Sequence, residues 1–503
     1  MEELSILELQ EKMSTGDLTA VDILNSYLAR IEELDKQGPA INAIIELNPD
    51  APVIAEKLDQ ERLAGKLRGP LHGIPVLIKD NIDTHDHMQT TAGSLALEGS
   101  VAPRDAFIVK RLRHAGAVIV GKTNLSEWAN FRGKHSISGW SSRGGLTRNP
   151  YALDRSACGS SSGSGAAVAA NLCSVAIGTE TDGSIICPAQ TNGIVGIKPT
   201  LGLLSRSGII PISHSQDTAG PMARSVADAA FLLGALTGLD ERDPATRFSK
   251  THAQKDYSLF LDKNGLQGAR IGVVRAMAGT DARILQIFEA CLKVMKQLGA
   301  VLIDPVELPN FNKIGKSEIE VLHHEFKAGL NQYLAFRGPK ARVHNLEEVI
   351  KFNENHKEQV MPFFGQEHML SAQSKGPLTS KVYLNALEKN QRLTRHEGVL
   401  VTLSKHRLDA LIVPSGGPAW MIDLVNGDAI NWDMESTSIP AVAGYPHITV
   451  PAGYIFGLPV GLSFFGKNWQ EPTLIKFAYA FEQATKIRKP PQFLASAELN
   501  NRD

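Results

Sequence analysis

The sequence predicts an α/β protein. Three observations carry that expectation: helix-like and strand-like segments alternate early in the chain, strand-like text returns near the C terminus after a long helical stretch, and no self-similar period of about 20 to 50 residues marks a solenoid or propeller. For 503 residues, a prior of roughly 150 residues per domain gives about three domains. Large α/β enzymes break that rule, and strands at both ends of the chain point instead to one sheet carrying helical insertions.

In chain order, Thr19 to Leu34 places apolar residues at helical spacing behind a Thr19 and Asp22 cap, and Ile74 to Ile78 is a short buried strand. Arg104 to His114 then predicts a helix and Ala117 to Val120 a strand. From Cys158 to Thr200, Gly, Ser, Ala and Thr crowd together with interleaved Val, Ile and Leu. This stretch reads as a Gly/Ser loop, a helix over Gly165 to Asn171, a strand Val175 to Thr179, a tight turn Thr181 to Ser184 and a strand Ile194 to Lys198. Residues 220 to 405 are expected to be mostly helical, through Ala282 to Gln297, Ser317 to Tyr333, Leu346 to Glu354 and Lys381 to Lys405, with one strand at Arg270 to Val274. Strands return at Ala410 to Pro414, His447 to Tyr454 and Leu458 to Phe465, before a last helix at Pro472 to Thr485.

Composition narrows the function. With 52 Lys+Arg against 53 Asp+Glu, a net charge of −1 and 43% hydrophobic residues, the chain has core material and no long-range positive field, so neither nucleic acid nor a membrane surface is an expected partner. No run reaches the roughly 18 apolar residues of a membrane span. Met1 is followed by Glu2 and Glu3 without a basic and then apolar leader, so a cytoplasmic protein is expected, although a leader already removed gives the same text. Cys158, Cys173, Cys187 and Cys291 form no C-x-x-C pair, and neither a zinc framework nor a disulfide scaffold is expected. Cys158 and Cys187 have no identifiable His partner and read as small buried hydrophobes. His85 and His87, and the pair His323 and His324, lack the three or four convergent ligands of a zinc site and read as solvated surface, so no metal and no cofactor is expected.

Two serine-bearing loops could carry chemistry. Gly159-Ser160-Ser161-Ser162-Gly163 before a helix resembles a phosphate cradle, but Gly165 and Ala166 stand where a P-loop needs Lys and Ser/Thr. In Thr179-Glu180-Thr181-Asp182-Gly183-Ser184 a strand breaks into a small-residue turn ending on a hydroxyl. Such a turn can aim several backbone N–H groups at one point, as a developing oxyanion requires.

The text CGSSSGSG, then GTETDGSIICPA, then NGIVGIKPT, with GIPVLIKDNID upstream, resembles the amidase signature family. TTAGS at Thr90 to Ser94, GKTNLSEWAN at Gly121 to Asn130 and AGYPHITVPAG at Ala443 to Gly453 extend the likeness from about Leu71 to Gly466. The resemblance implies a single αβα domain over residues 1–503, a twisted mixed sheet covered by helices on both faces, with the signature core at about 71–235 and a variable helical insertion at about 313–381 shaping the substrate pocket. It also implies a Ser-Ser-Lys triad: Lys79 as base, Ser160 as the bridging serine after a cis non-proline bond, and Ser184 as the nucleophile of an acyl-enzyme. Thr181, Asp182, Gly183 and Ser184 would supply the oxyanion hole. Lys79 can accept a proton only if neutral, so burial must lower its pKa from about 10.4. Asp80, the next residue in the strand, should point to the opposite face.

Asp182-Gly183-Ser184 replaces the family's usual Gly-Gly-Ser, and Ile186 stands where many members have Arg. A carboxylate two residues before the nucleophile must avoid the oxyanion, and Asp182 is expected to accept a hydrogen bond from a primary carboxamide and to repel a free carboxylate. With SQDTAGPMARSVADAA, this text is closest to bacterial peptide amidases, which remove the C-terminal amide of peptides; Asn130 matches a substrate-contacting Asn of that group. The expected substrate is therefore a small-molecule or peptide amide. Alternatives are a fatty-acid or aryl amidase and the A subunit of a tRNA-dependent amidotransferase. A silent binding protein would need a lost triad residue, and all three are present. Ser161 and Ser162 are expected to bond within their loop, while Trp128, Trp140 and Trp420 could be pocket wall or packing. His214, the acyl-side specificity and the oligomeric state stay open.

Overall fold

The computed structural model describes residues 2–430, 434 and 436–499. Its strands are β1 (Ile44–Leu47), β2 (Pro75–Lys79), β3 (Val118–Thr123), β4 (Trp140–Ser141), β5 (Gly145–Leu146), β6 (Val175–Glu180), β7 (Val195–Lys198), β8 (Thr218–Ala223), β9 (Arg270–Val273), β10 (Val301–Ile303), β11 (Ala410–Pro414), β12 (His447–Ile455) and β13 (Leu458–Phe465). Eleven of them form one mixed sheet in the order β1-β3-β2-β6-β8-β7-β12-β13-β11-β9-β10, and β4 and β5 pair separately. The strands β2, β3 and β6 run parallel, whereas β6, β8, β7, β12 and β13 pair antiparallel.

Every residue of β2, β3, β6, β8 and β13 is buried, so both faces of the sheet are covered, and the near-continuous apolar text of these strands follows from that. The helices Ser162–Ala169, Val226–Leu236, Ala282–Gln297 and Glu471–Thr485 pack against it. Among the described residues no helix is long and apolar enough to cross a membrane. The capped N-terminal helix forms as expected over Ala20–Ile31, with reciprocal Thr19 and Asp22 bonds.

Three expectations need correction. The region from 220 onward holds β8 and β10 as well as β9. The TAGPMA text of β8 hides a central strand because Pro221 falls where the ladder does not need its N–H, and Gly220 lets the Ile197 carbonyl of β7 approach where a Cβ would sit. Lys381 to Lys405 is not one uniform α-helix: Lys381–Gln391 passes through a π-helical turn, Arg392–Leu400, into Val401–His406. His323 and His324 are buried, not solvated: His323 Nε2 lies 3.1 Å from His368 Nδ1, and His324 Nδ1 lies 2.9 Å from the Glu320 carbonyl. Their helix, Gly315–Phe336, joins Leu346–Asn355 and Glu367–Gln373 in a cluster built on Leu97, Leu125, Trp128 and Phe131, so the helical insertion packs directly on the segment that carries Asn130.

Candidate active site

Because β2 and β6 are parallel neighbours, their C-terminal ends lie at the same edge of the sheet, the edge where open α/β sheets form clefts. Lys79 is the last residue of β2, and the Thr181 to Ser184 turn follows β6 directly. The Gly159 to Ser162 loop is stitched to both. Ser161 N–H donates to the Ser184 carbonyl at 3.1 Å, and Ser161 Oγ donates to the Thr179 carbonyl at 3.0 Å while accepting from Thr179 N–H at 3.1 Å. Ser162 Oγ donates to the Cys158 carbonyl. Ser162 therefore bonds within its loop, as expected, whereas Ser161 bonds out of it to the end of β6 and the turn.

Lys79 is 0% exposed, and burial lowers its pKa to about 7 although Glu180 and Asp217 act to raise it. Its Nζ lies 2.7 Å from Ser160 Oγ, 2.9 Å from Thr179 Oγ1 and 3.2 Å from the Thr179 carbonyl. A neutral amine has two N–H donors and one lone pair, so two neighbours that can accept and one hydroxyl that can donate match it group for group. Asp80 is turned away, its Oδ2 accepting from Thr91 Oγ1 and from Gly93 N–H. The bond between Gly159 and Ser160 is cis. Gly159 admits no side chain, since a Cβ there would collide with Ser126 Oγ and approach Ser138 Oγ to 3.0 Å.

Ser184 opens on a cavity of about 510 Å³ that Asn130, Cys158, Asp182, Gly183 and Cys187 also line. Its hydroxyl makes no hydrogen bond to any described residue, so Lys79 and Ser160 are linked while the Ser160 to Ser184 step is not closed in this state; such catalytic bonds often tighten only with substrate. Among the described residues no acceptor takes the N–H groups of Thr181, Asp182, Gly183 or Ser184. Gly183 sits at φ +77°, a left-handed conformation that glycine takes without a Cβ penalty. Behind them Glu180 Oε2 accepts the N–H groups of Ile185 and Ile186 at 2.7 and 3.0 Å, fixing the backbone that leaves Ser184.

Asp182 Oδ2 accepts from Ser438 Oγ at 2.6 Å, and its buried Oδ1 has no hydrogen-bond partner among the described residues. Asn130 ends a run of three left-handed residues, Trp128, Ala129 and Asn130, and is held by Ser136 Oγ at 2.8 Å and Ser138 Oγ at 3.4 Å. Trp420 lines the cavity, with its Nε1–H on Asp428 Oδ1 at 3.2 Å, whereas Trp128 and Trp140 are buried in packing. His214 lies on a second cavity, of about 380 Å³, and its Nε2 is 3.4 Å from Glu325 Oε1; the two cavities share Ala129, Thr181 and Ile212 in their walls.

The cysteine expectation is corrected. Cys158 and Cys187 form a disulfide beside the cavity, their Cα atoms 6.0 Å apart. A separation of 29 residues across a helix, a strand and a turn carries no spacing signal, and only the return of the chain to one sheet edge brings the pair together. Cys173 and Cys291 are free and buried, and burial pushes both thiols up to about 12.

Sequence reasoning missed the residues that hold Lys79 and the Thr181 to Ser184 turn. Asn81 Nδ2 donates to Thr179 Oγ1 at 2.9 Å, Thr179 receives Lys79, and Glu180, Gln216 and Asp217 brace the turn. The signal for them was proximity: each lies inside or next to a motif block already singled out for other residues.

The family model "Amidase" matches residues 22–475. A solved structure of a native peptide amidase from Stenotrophomonas maltophilia superposes with a TM-score of 0.93 at 51% identity, covering 98% of this chain and 99% of that one. A probable amidase from Arabidopsis thaliana is 42% identical over 98% of this chain and 92% of its own length. The A subunit of the glutamyl-tRNA(Gln) amidotransferase from Symbiobacterium thermophilum is 34% identical over 96% of this chain and 97% of its own.

Proposed function

The chain belongs to the amidase family and is an amide hydrolase, and from that premise we propose that it releases ammonia from the C-terminal carboxamide of peptides through an acyl-enzyme on Ser184. The observation that carries this reading is the buried contact of Lys79 Nζ with Ser160 Oγ at 2.7 Å, beside a free Ser184 hydroxyl. Neutral Lys79 draws the Ser160 proton as Ser160 takes that of Ser184, and Ser184 Oγ bonds to the amide carbon. The carbonyl oxygen becomes an oxyanion facing the N–H groups of the Thr181 to Ser184 turn. The proton returns through Ser160 to the nitrogen as the C–N bond breaks, ammonia leaves, and water repeats the sequence to release the acid.

Asp182 supports a primary amide as substrate. Its unpartnered Oδ1 can accept one N–H of a carboxamide, an interaction that a carboxylate lacks and that two like charges would oppose. The 51% identity to a peptide amidase supports a peptide on the acyl side. The test is ammonia release from an amidated dipeptide by the purified chain, set against the matching free acid, an aryl amide and a fatty-acid amide. Turnover of the peptide amide, lost in Ser184→Ala, is expected.

The likeness to this amidotransferase component motivates a second reading, in which the chain passes ammonia to partner subunits. Activity that appears only with those subunits and charged tRNA would replace the first reading by this one.

A further inference from the structure

The strand β6 lies between β2 and β8, and its end is approached from both sides. Ile78, just before Lys79, pairs with Ile177, while Glu180 pairs with Thr218, just after Asp217. Lys79 thus reaches the base of the turn from β2, and Asp217 reaches it from the loop ahead of β8. Asp217 Oδ1 accepts the Thr181 hydroxyl at 2.6 Å, and its Oδ2 accepts the N–H groups of Ile212 and Ser213 at 2.9 and 2.8 Å. Gln216 Nε2 donates to the Thr181 carbonyl at 3.2 Å and to Glu318 Oε1, on the helix Gly315–Phe336, at 2.9 Å. Two consecutive side chains therefore hold both polar ends of the residue that opens the turn.

An aspartate that only shaped its own loop would need the two backbone donors and nothing more. The third bond leaves the loop for the turn. Arg206, a cation close to Asp217, spends its guanidinium on Asp243 at 2.5 Å. The other titratable and charged groups at this corner are Lys79 from β2, Glu180 from β6, Asp182 from the turn, Lys198 from β7, His214 from the same loop, and Glu318 and Glu325 from the helix Gly315–Phe336. Both lysines are buried, and neither makes an ion pair with a carboxylate among the described residues.

Resting on the reading of Lys79, Ser160 and Ser184 given above, we propose that Asp217 is a positioning residue for the hydrolysis: it fixes Thr181 at the head of the oxyanion turn, and its negative charge, across β6 from Lys79, helps set the pH above which that lysine can take a proton. The two roles separate by experiment. Asp217→Asn removes the charge, yet its amide can turn its oxygen to the two backbone donors and its NH₂ to Thr181 Oγ1 as acceptor. Thr181→Val removes the hydroxyl and leaves the charge.

Burial raises Asp217 to about 6 and lowers Lys79 to about 7, and the lysine is raised in part by Glu180 and, after it, by Asp217. Loss of the anion lowers the Lys79 pKa, so the enzyme stays active to lower pH. In kcat/KM against pH on an amidated dipeptide, the acid limb of Asp217→Asn is expected about 0.5 to 1 pH unit below that of the wild type. Thr181→Val is expected to keep the wild-type limb and lose about tenfold in plateau kcat. Asp217→Glu, which keeps the charge in a displaced position, should also keep the limb. Limbs that coincide in wild type and Asp217→Asn, or an undiminished kcat in Thr181→Val, overturn the proposal. If Asp217→Asn does not fold, a limb in Asp217→Glu displaced to low pH, or an unaffected Thr181→Val, overturns it as surely. A wild type without any acid limb, or an active Lys79→Ala, would instead sink the triad itself.

Discussion

The inner end of the cavity and its outer wall are built by different means. At the inner end, Ser160, Ser161, Ser162 and Ser164 are each fully buried, and glycines stand wherever another group's backbone or hydroxyl comes close. The polar side chains there come from three short stretches of chain, around Lys79, Ser160 and Thr179. The wall is assembled from Arg283 and Ile284 at a helix start, Leu322 from the helical insertion, and Trp420, Ile430 and Met434 from the segment ahead of β12. Those are large side chains from segments far apart in sequence. The inner end thus fixes atoms in place and tolerates no added volume, whereas the wall supplies area and can vary.

If that contrast holds, substitutions at the inner end strike kcat and substitutions in the wall strike KM. The largest effects belong to the reacting groups. Ser184→Ala should cost on the order of 10⁴-fold or more in kcat, and Lys79→Ala about 10² to 10⁴-fold with little change in KM, because a base acts in the transition state. The pH dependence follows from the sign of the lysine shift. On the proposed role of Lys79 as base, a pKa lowered by burial to about 7 would leave it protonated and inactive below that pH and neutral above it. Wild-type kcat/KM should therefore rise with pH through about 7 and flatten, and a rate independent of pH from 5 to 9 would break the assignment. These values are read from initial rates of ammonia release.

Next comes Gly159→Ala. Its new methyl would meet Ser126 Oγ and press toward Asn130 Nδ2, 3.2 Å away. Overpacking of this kind costs about 1 to 3 kcal/mol of stability, and a shift of Ser160 by about 1 Å is worth about 10²-fold in rate. Thermal unfolding and single-turnover rates measure the two separately. A variant with normal kcat would show that the inner end is less tightly fixed than the contrast requires.

The same contrast explains what the sequence could reveal. Lys79, Ser160, Ser184 and the small-residue turn were singled out because their local blocks resemble those of a known family, and in the fold they come to one edge of the sheet. Most sheet strands were legible too, since burial on both faces leaves an apolar run. The strand β8 was not, because Gly220 and Pro221 answer to their neighbours in the sheet and not to any local preference. The Cys158 to Cys187 bond, the bracing by Asp217 and the contact of buried His323 with half-buried His368 were equally hidden, as each depends on where distant segments return. The wall had no local pattern for the same reason.

Asp182 stands between the two regions, on the turn yet lining the cavity. Asp182→Asn should keep Ser438 bonded and lose the charge that opposes a free carboxylate. Discrimination between amidated and free-acid peptides, read as the ratio of their inhibition constants, is expected to fall by about tenfold. An unchanged ratio would remove Asp182 from recognition and leave it to bracing Ser438 alone.

The smallest effect is expected in the wall, and the choice of residue decides whether the test is clean. Leu322 also belongs to the buried cluster under Asn130, so Leu322→Ala would confound binding with a core cavity costing about 2 to 5 kcal/mol. Trp420 is only half-buried, and Asp428, which receives its N–H, keeps the Ser138 backbone donor at 3.0 Å when the indole is gone. Trp420→Ala should therefore fold normally and raise KM about two- to tenfold at nearly constant kcat, since packing area is felt equally by substrate and transition state. Were kcat to fall with KM unchanged, the indole would be acting on the reacting atoms through Asp428 and Ser138, and the line drawn between the two regions would have to move outward to include it.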